Sequence, residues 1–469
     1  MAPSHKHNDS AKIVKPFEDP YVSTPVSEKS VGDAYNNRNY STEDFGGMAV
    51  EEVEHVPEGT ASPGKALFML LKAFVGTGVI FLPGAFVSGG LVFSICLMVF
   101  IAAICLVAFQ ILIISQREVK ASYGDMGSIL YGPWLRYIIL FFLCLSQMGF
   151  VASYLIFISQ NIGLAIDFLS HCTSPIESKY YIWMVLAIII PITWIRKIAR
   201  LSWCAIVADI FILFGLICVL YFSGAQIAQN GPGPNIQLIN PTDFALMIGT
   251  AVFSFEGIGM VVPIVEGMKN PEKFPRVMNI GLPIVAAIFI LIGTIGYVAF
   301  GDQTYASVVA NLPKVPLSIT AQLVYAAAMI LTSPFMLYPA LIIIEQALFG
   351  KGGLFGERSG RVDKKWKAAK NFTRSMVAVV CAIVSFGVGQ DGLDKFVALV
   401  GSFACIPLCF IFPGMFHYKV TTNKWAKIGD IILAIFGLGM MIYTLYVNIN
   451  SWVHPSSSGR AVPDPCPAT

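Results

Sequence analysis

The chain has 469 residues, of which 56% belong to the hydrophobic set and only 13% are charged, and its mean hydropathy is +0.70. A soluble domain carries about a quarter charged residues and cannot hide so much apolar surface from water. The formal net charge of +3 is uninformative by itself, but the composition excludes a cytosolic enzyme, a nucleic-acid-binding module and a disordered scaffold. We expect a polytopic membrane protein.

The first region of the chain, residues 1–64, differs from the rest in composition. It holds 5 Lys and Arg against 11 Asp and Glu, a net charge of −6, and it contains no apolar run long enough to span a bilayer. Low hydrophobicity combined with high net charge predicts a disordered acidic tail. Such a tail could bind a cytosolic partner. We expect no signal peptide, because the first apolar run begins near Ala66.

The remainder of the chain is dominated by long apolar runs. A transmembrane helix needs about 20 predominantly apolar residues. The sequence predicts eleven spans, of which the fourth and ninth are the shortest: 66–88, 90–115, 135–166, 180–195, 202–222, 242–268, 279–300, 318–349, 372–389, 394–416 and 426–450. The segments 122–131 and 302–316 mix polar and apolar residues, so we expect them to lie at the membrane interface.

The basic residues predict the orientation of these spans, since cytosolic loops are enriched in Lys and Arg. With a cytosolic N-terminus, the inner loops hold 20 basic residues and the outer loops with the C-terminal tail hold four. Eleven spans then place the tail 453–469 on the luminal side. Of the ten cysteines, only Cys172 and Cys466 face that compartment, and whether they pair stays open. No metal or redox spacing is present, so we expect no cofactor.

The first span carries a strong helix-breaking pattern. It contains Gly76-Thr77-Gly78 followed by Leu82-Pro83, and glycine and proline both disfavour a continuous helix. A helix that breaks within the bilayer exposes backbone groups, which are tolerated only beside protein or a water-filled cavity. Close packing of helices through small residues is the alternative explanation.

The sixth span repeats the pattern. It reads Phe253-Ser254-Phe255-Glu256-Gly257-Ile258-Gly259 and ends its apolar run with Pro263. Interrupted spans at matching positions of two halves are typical of inverted-repeat secondary transporters, with the binding site between the breaks. Half-helix ends attract a carboxylate and an ammonium group. An amino acid presents both groups.

These residues resemble the amino acid/auxin permease family, and most closely its branch of vacuolar and proton-assisted amino-acid transporters. The resemblance covers residues 65 to about 450, and it rests on Leu70-Leu71-Lys72, on the two breaks and on Gly296-Tyr297-Val298-Ala299-Phe300-Gly301. It implies an all-α leucine-transporter fold of 5+5 inverted repeats with 11 helices. The first repeat would cover about 65–222, the second about 242–416, and an eleventh helix about 426–450, within a transporter domain of residues 65–452. It also implies a vacuolar or lysosome-like membrane and proton-linked export of amino acids to the cytosol.

One position departs from the family pattern. In the proton-assisted branch a His precedes Leu-Leu-Lys and is linked to proton coupling, whereas here the residue is Met69, which carries no proton. Proton, sodium and uncoupled transport therefore remain alternatives.

The two breaks predict the substrate site. The residues that we expect to line it are Phe74, Val75, Gly76, Thr77, Gly78, Tyr154, Ser254, Phe255, Gly257, Ile258 and Tyr338. Only Glu256 places a negative charge there, which favours neutral amino acids over acidic ones.

Ionisable groups inside membrane spans are costly and are often functional. Glu256 is expected either to gate or exchange protons or to cap exposed backbone N–H groups. Lys72 could extend to the cytosolic interface or form an ion pair. Asp209 could pair with Lys72 or bind an ion.

The eighth span is interrupted by Thr332-Ser333-Pro334. Its two hydroxyl groups either contribute to a cation site or bond back to the preceding helical turn beside the proline.

Functions of other classes are harder to reconcile with the sequence. A membrane enzyme would need a clustered acid–base or metal constellation, and the chain offers only six His and no H-E-x-x-H pattern. A non-transporting amino-acid sensor on the same fold remains the alternative to a transporter.

Overall fold

The computed structural model describes residues 61–76, 78–171, 176–196, 198–350, 353–356 and 364–454. The acidic tail up to residue 60, Thr77, Cys172, Cys466 and the end of the C-terminal tail lie outside the described residues. The described part is built from helices, and its one isolated β-bridge joins Ala61 to Met268.

The helices, in chain order, are α1 Pro63–Phe74, α2 Leu82–Gly89, α3 Leu91–Val119, α4 Tyr123–Tyr131, α5 Pro133–Leu169, α6 Tyr181–Thr193, α7 Ile198–Asn230, α8 Phe244–Phe255, α9 Ile258–Glu266, α10 Phe274–Phe300, α11 Pro316–Phe349, α12 Lys364–Val388, α13 Leu393–Val400, α14 Phe412–Val420 and α15 Lys424–Val453. Short 3₁₀ turns, among them Gly78–Phe81 and Val308–Asn311, lie between them. Two π-helical segments, Gly401–Cys405 and Pro407–Ile411, connect α13 to α14.

Eight of the described helical segments are long and apolar enough to cross a membrane, and a ninth span results when the bent pair Pro63–Phe74 and Gly78–Gly89 is counted as one. The predicted fourth span and the first half of the sixth correspond to shorter apolar helices, Ser178–Thr193 and Phe244–Phe255. The expected total of eleven therefore remains a prediction, while a polytopic all-helical membrane protein is confirmed.

The first break begins where α1 ends. Ser62 caps the start of α1 by accepting a hydrogen bond from the Lys65 N–H, and Pro63 occupies the first turn, where its missing N–H costs nothing. The helix ends at Phe74, the Gly76 N–H donates to the Phe74 carbonyl, and the chain resumes in a 3₁₀ turn at Gly78. The two halves are bent by 42°, as the glycine pattern predicts.

The second break lies between α8 and α9. Glu256 adopts an extended conformation (φ −70°, ψ 120°), and α9 begins two residues later at Ile258. The helix therefore stops at the Phe255–Gly257 step that the sequence indicates.

The helices pack as two groups. Helices α5, α6, α11 and α12 pack against one another, and α10 packs against α1, α2 and α3. Helix α8 packs against α2 and α13, while α9 packs against α1. Helix α7 contacts both groups through α11 and α10. Both broken spans thus belong to one group, beside the unbroken helices of the other.

The two ends of the helical bundle are named here by the first broken span. The proximal face is the end of the bundle at which α1 begins. There Ala61 pairs with the segment that follows α9: its N–H donates to the Gly267 carbonyl, and its carbonyl accepts from the Lys269 N–H, both at 3.1 Å. The distal face is the end of the bundle at which α2 ends. There the junction between α2 and α3 pairs with the segment before α8, since the Leu91 N–H donates to the Gln237 carbonyl at 2.8 Å.

Candidate functional site

The two breaks lie against each other. A Cβ atom added to Gly78 would lie 3.2 Å from the Ser254 Cα, and one added to Gly257 would lie 2.6 Å from the Phe74 Cζ. The structure therefore brings Phe74, Gly78, Ser254 and Gly257 together, and their contact with a substrate stays a prediction. Both glycines are needed for this close approach, because any side chain would push the two spans apart.

Four helix ends converge at the breaks. Helices α1 and α8 end there, and the turn Gly78–Phe81 and helix α9 begin there. The first N–H groups and the last carbonyl groups of a helix lack partners within that helix. The ends of α1 and α8 thus offer acceptors for an ammonium group, and the opposite ends offer donors for a carboxylate.

The space around the breaks is asymmetric. Cβ atoms added to Gly76 or Gly259 would meet no atom closer than 4.0 Å, whereas one added to Gly84, on the distal side, would lie 2.5 Å from the Tyr305 carbonyl oxygen. Between α2, α8 and α13 there is a cavity of about 10 Å³, lined by residues that include Phe81 and Asp394. Such a cavity is no larger than one water molecule requires. The distal side is therefore closely packed at Gly84, whereas Gly76 and Gly259 have no such close contacts among the described residues.

Glu256 lies in the second break and is half-buried. Its Oε1 atom is buried and has no hydrogen-bond partner among the described residues, so this oxygen caps no described N–H group. The carboxylate is within electrostatic range of the Tyr123 hydroxyl and of the Cys405 and Cys409 thiols. In the described ranges, no three His, Cys, Asp or Glu residues are placed to hold a metal ion.

Lys72 and Asp209 form an ion pair between α1 and α7. The Lys72 Nζ lies 2.6 Å from the Asp209 Oδ2, and the two side chains are 29% and 33% exposed. Of the alternatives that the sequence left open for these residues, the structure shows their pairing.

Thr332 and Ser333 both bond back within α11. Their hydroxyl groups donate to the carbonyl oxygens of Ala328 at 2.8 Å and Met329 at 2.7 Å. This is the local arrangement expected beside Pro334. The oxygen lone pairs remain available, so a cation site at these residues stays a prediction.

The remaining predicted site residues divide into two sets. Tyr154 and Ile258 are buried, and Val75 is half-buried beside the first break. The Phe255 ring instead lies 5.2 Å from the Phe289 ring of α10. The Tyr338 hydroxyl donates to the Arg196 carbonyl, 2.9 Å away and beyond the end of α6. The Tyr338 hydroxyl therefore contacts the segment after α6, and a role of Tyr338 at the substrate stays a prediction.

An aromatic cluster closes the distal side of the breaks. The Phe81 ring lies 6.2 Å from both the Phe157 and the Phe253 rings, and Phe253 lies 4.4 Å from Phe150. Phe81 and Phe253 flank the two breaks in sequence, which is the signal that could have identified them. Nothing in the sequence indicates which of the 34 Phe residues face them from α5.

Comparisons with known proteins agree with this architecture. Residues 59–450 match the family model described as transmembrane amino acid transporter protein. The chain is 41% identical over 400 residues to vacuolar amino acid transporter 3 of Saccharomyces cerevisiae, covering 84% of this chain and 57% of the relative. It is 36% identical over 390 residues to vacuolar amino acid transporter 3 of Schizosaccharomyces pombe, covering 83% and 58%. The chain therefore spans less than two thirds of the length of these yeast relatives.

Solved structures confirm the fold. The inward-facing conformation of Mhp1 matches with a TM-score of 0.57 at 13% identity, covering 88% of this chain and 96% of Mhp1. MhsT in complex with L-phenylalanine matches with a TM-score of 0.50 at 11% identity, covering 83% and 99%. These are leucine-transporter-fold proteins, which confirms the expected fold class. The family and the relatives are transporters and not enzymes, and the chain belongs to the family of transmembrane amino acid transporter proteins.

Proposed function

We propose that this protein is a secondary active transporter that moves neutral amino acids out of a vacuolar or lysosome-like compartment into the cytosol. The observation that carries the proposal is the contact between the two broken spans, with four helix ends converging on one point in the bundle. The yeast relatives, which are vacuolar amino acid transporters, support the substrate class and the vacuolar membrane.

The neutral character of the substrate follows from the walls of the site. Phe74, Phe81 and Phe253 contact or flank the breaks, and the cation nearest in sequence, Lys72, is already paired with Asp209. An apolar wall favours an uncharged side chain, because burying an unpaired charge there would cost more than the contacts return. The ammonium and carboxylate groups of the substrate would be met by the helix ends.

Alternating access follows from the asymmetry around the breaks. With the N-terminus cytosolic, the proximal face is cytosolic, and the proximal half-helices α1 and α9, where Cβ atoms on Gly76 and Gly259 would meet no close contact among the described residues, would line the exit path. The tight contact of Gly84 with Tyr305 and Ala306 is the closed luminal gate. Opening that gate requires α2 to move away from the segment 304–312, which would expose the aromatic cluster to the lumen.

Coupling to protons is assigned to Glu256. An acidic lumen makes the proton gradient the natural energy source, and Met69 cannot supply the proton-carrying group. Glu256 is a carboxylate at a break, and its Oε1 has no described partner. Since burial penalises the charged form of a carboxyl group, this residue is suited to exchange a proton as the site changes exposure.

Flux through the purified protein in liposomes tests the proposal. Labelled alanine, leucine, tyrosine and glutamine are loaded inside vesicles, and efflux is measured with an acidic or a neutral interior. We expect efflux of at least one of them, faster with the acidic interior. Gly78→Leu should abolish flux, because the side chain would separate the breaks. The matched control is Gly439→Leu, whose position on α15 has open space around it, and it should transport normally.

A non-transporting sensor is the second candidate, favoured by the acidic tail of residues 1–64. Saturable binding of an amino acid to the purified protein with no flux through it would support the sensor and refute the transporter. Orientation is tested separately, because protease added to intact vacuoles should remove the N-terminal tail and spare the C-terminal one. Protection of the N-terminal tail would overturn the assignment of the proximal face to the cytosol.

A further inference from the structure

A strap of ten residues crosses the distal face of the bundle. It comprises residues 231–240, which connect α7 to α8 and contain no helix. Six of these residues are exposed, and fixing an exposed connection in one conformation costs entropy at every residue. The strap is nevertheless held along both edges by hydrogen bonds, so its fixed course requires an explanation.

One edge of the strap is bonded to the end of α10. The Gly233 N–H donates to the Val298 carbonyl at 2.8 Å, and the Gln237 N–H donates to the Tyr297 hydroxyl at 3.0 Å. Both acceptors belong to the segment 296–301, on which the resemblance to the permease family partly rests. The substrate site described above assigns no role to that segment, whereas its contacts show that it receives the strap.

The other edge of the strap is bonded to the junction between α2 and α3. There the Val92 N–H donates to the Leu238 carbonyl at 3.0 Å. Gly90 has a positive φ of 82°, and a Cβ atom added to it would lie 2.7 Å from the Ile239 Cα. Only glycine accommodates both this backbone conformation and this close approach. The strap therefore joins the α2–α3 junction to the end of α10.

Asn240, the last residue of the strap, contacts the distal halves of both broken spans. Its backbone N–H donates to the Gly89 carbonyl at 3.0 Å and its Nδ2 donates to the Val87 carbonyl at 3.3 Å. These carbonyls lie in the last turn of α2, where the helix itself supplies no donors. The Asn240 Oδ1 accepts from the Thr242 N–H at 3.1 Å, in the turn that leads into α8. One amide side chain thus joins the end of α2 to the start of α8.

These bonds restrict how the distal gate can move. Opening of the gate requires α2 to move away from the segment 304–312. A movement of α2 alone would break the bonds to Asn240 and to the strap, whereas a movement of α2 together with α8 and the end of α10 would keep them. The joint movement therefore costs less free energy than the separate one.

We propose that Asn240 is a positioning residue that couples the distal halves of the two broken spans, and that the strap fixes both of them to α10. The inference rests on the proposed function, since it assigns how the distal gate moves during transport. The two half-helices then open and close as one body, so both breaks change their exposure together.

The test is Asn240→Asp, which changes one end of the side-chain amide. The variant keeps an oxygen that accepts from the turn before α8, but it places a second oxygen against the Val87 carbonyl, so the link to α2 is lost. Asn240→Ser is the second variant, because serine also favours this kind of turn and is too short to reach α2. The matched control is Gln110→Glu, since the Gln110 Nε2 donates to the Pro275 carbonyl at 3.0 Å and joins α3 to the start of α10.

Opening of the distal gate is measured directly with a cysteine. Ala306 lies in the gate, where it packs against Gly84, and Ala306→Cys is introduced into the unmodified protein and into each variant. The rate at which a water-soluble maleimide labels this cysteine in detergent is followed by mass spectrometry of its peptide. Turnover per folded molecule, substrate affinity and the Tm are measured on the same preparations.

We expect Asn240→Asp and Asn240→Ser to raise the labelling rate about fivefold to tenfold, which is the effect of one lost hydrogen bond. Turnover per folded molecule should fall, while the substrate affinity should stay within about twofold, because Asn240 does not line the breaks. Gln110→Glu should lower the Tm and leave labelling and turnover unchanged.

Two results would overturn the inference. A lower Tm in both Asn240 variants with unchanged labelling and turnover would show that the residue only stabilises the loop. Equally faster labelling in Gln110→Glu would show a general loosening of the bundle. Failure of the unmodified protein to transport any amino acid would instead refute the proposed function, and the labelling comparison, which needs no substrate, would still decide whether Asn240 holds the gate.

Discussion

The Lys72 ammonium group lies 2.6 Å from the Asp209 carboxylate, joining α1 to α7 just before the first break. Helix α1 is the proximal half of a broken span, and a movement of this half would open or close the proximal side of the site. The ion pair thus ties α1 to α7, which contacts both helix groups. About a third of each side chain is exposed, so the pair is less costly to bury than a fully desolvated one.

Removing one partner of this pair should destabilise the protein by about 1–2 kcal/mol, less than a fully buried pair would lose. We expect this for Lys72→Met and for Asp209→Asn, while the double variant should recover part of the loss because no unpaired charge remains. Thermal unfolding in detergent measures the effect. Lys179→Met is the control, because its pair with Glu177 is exposed. Equal stability of all these variants would show that the pair does not hold α1.

The two glycines of the first break should differ in their tolerance of a methyl group. A Cβ atom on Gly76 would have no neighbour closer than 4.0 Å, whereas one on Gly78 would meet the Ser254 Cα at 3.2 Å. We expect Gly76→Ala to retain transport, and Gly78→Ala to lose about 1–3 kcal/mol of stability through overpacking together with most of its substrate affinity. Thr77→Ala should keep the fold and weaken binding. Normal affinity in both Gly78→Ala and Thr77→Ala would place the substrate away from the breaks.

Arg374 should be the most sensitive charged residue of the scaffold. It is 3% exposed and donates to Glu345 Oε2 at 2.7 Å and 3.0 Å and to the Thr193 carbonyl at 3.0 Å. Arg374→Met should cost about 3 kcal/mol, since it leaves a carboxylate without its main partner. Lys367→Met, at an exposed position on the same helix, should change stability by no more than about 0.5 kcal/mol. Differential scanning fluorimetry compares them, and equal melting temperatures would contradict the structural role of Arg374.

Features of the site that depend on one short segment of the chain are predicted from the sequence better than contacts between segments that are distant in sequence. Both breaks follow from glycine spacing, because glycine acts on the backbone of its own segment. The pairing of Lys72 with Asp209 was one of the alternatives that the sequence left open, and the partner of Glu345 could not be assigned, since pairing across helices depends on their rotation in the bundle. For the same reason the sequence does not predict that the Tyr338 hydroxyl donates to Arg196 or that the Phe255 ring contacts Phe289.

Glu256 provides the last prediction, which concerns pH dependence. Glutamine has the shape of glutamate but cannot carry a proton, and Glu256 Oε1 accepts no hydrogen bond from the described residues. We therefore expect Glu256→Gln to stay folded and to bind substrate. In the unmodified protein, efflux should rise as the vesicle interior is acidified, because protonation on that side loads the coupling group. In Glu256→Gln this rise should disappear.

Two measurements on the same variant separate this role from a structural one. If Glu256 instead caps α9 or belongs to an ion pair, Glu256→Gln should unfold at a lower temperature. The variant protein that remains folded should then keep the pH dependence of efflux. Asp209→Asn is the matched control, since it neutralises the other membrane carboxylate near the break and removes the charge that pairs with Lys72. If Glu256→Gln is stable and its efflux still follows the internal pH while that of Asp209→Asn does not, the coupling group is Asp209. The half-helix α1, which Lys72 ties to Asp209, would then be the part of the protein that responds to protons.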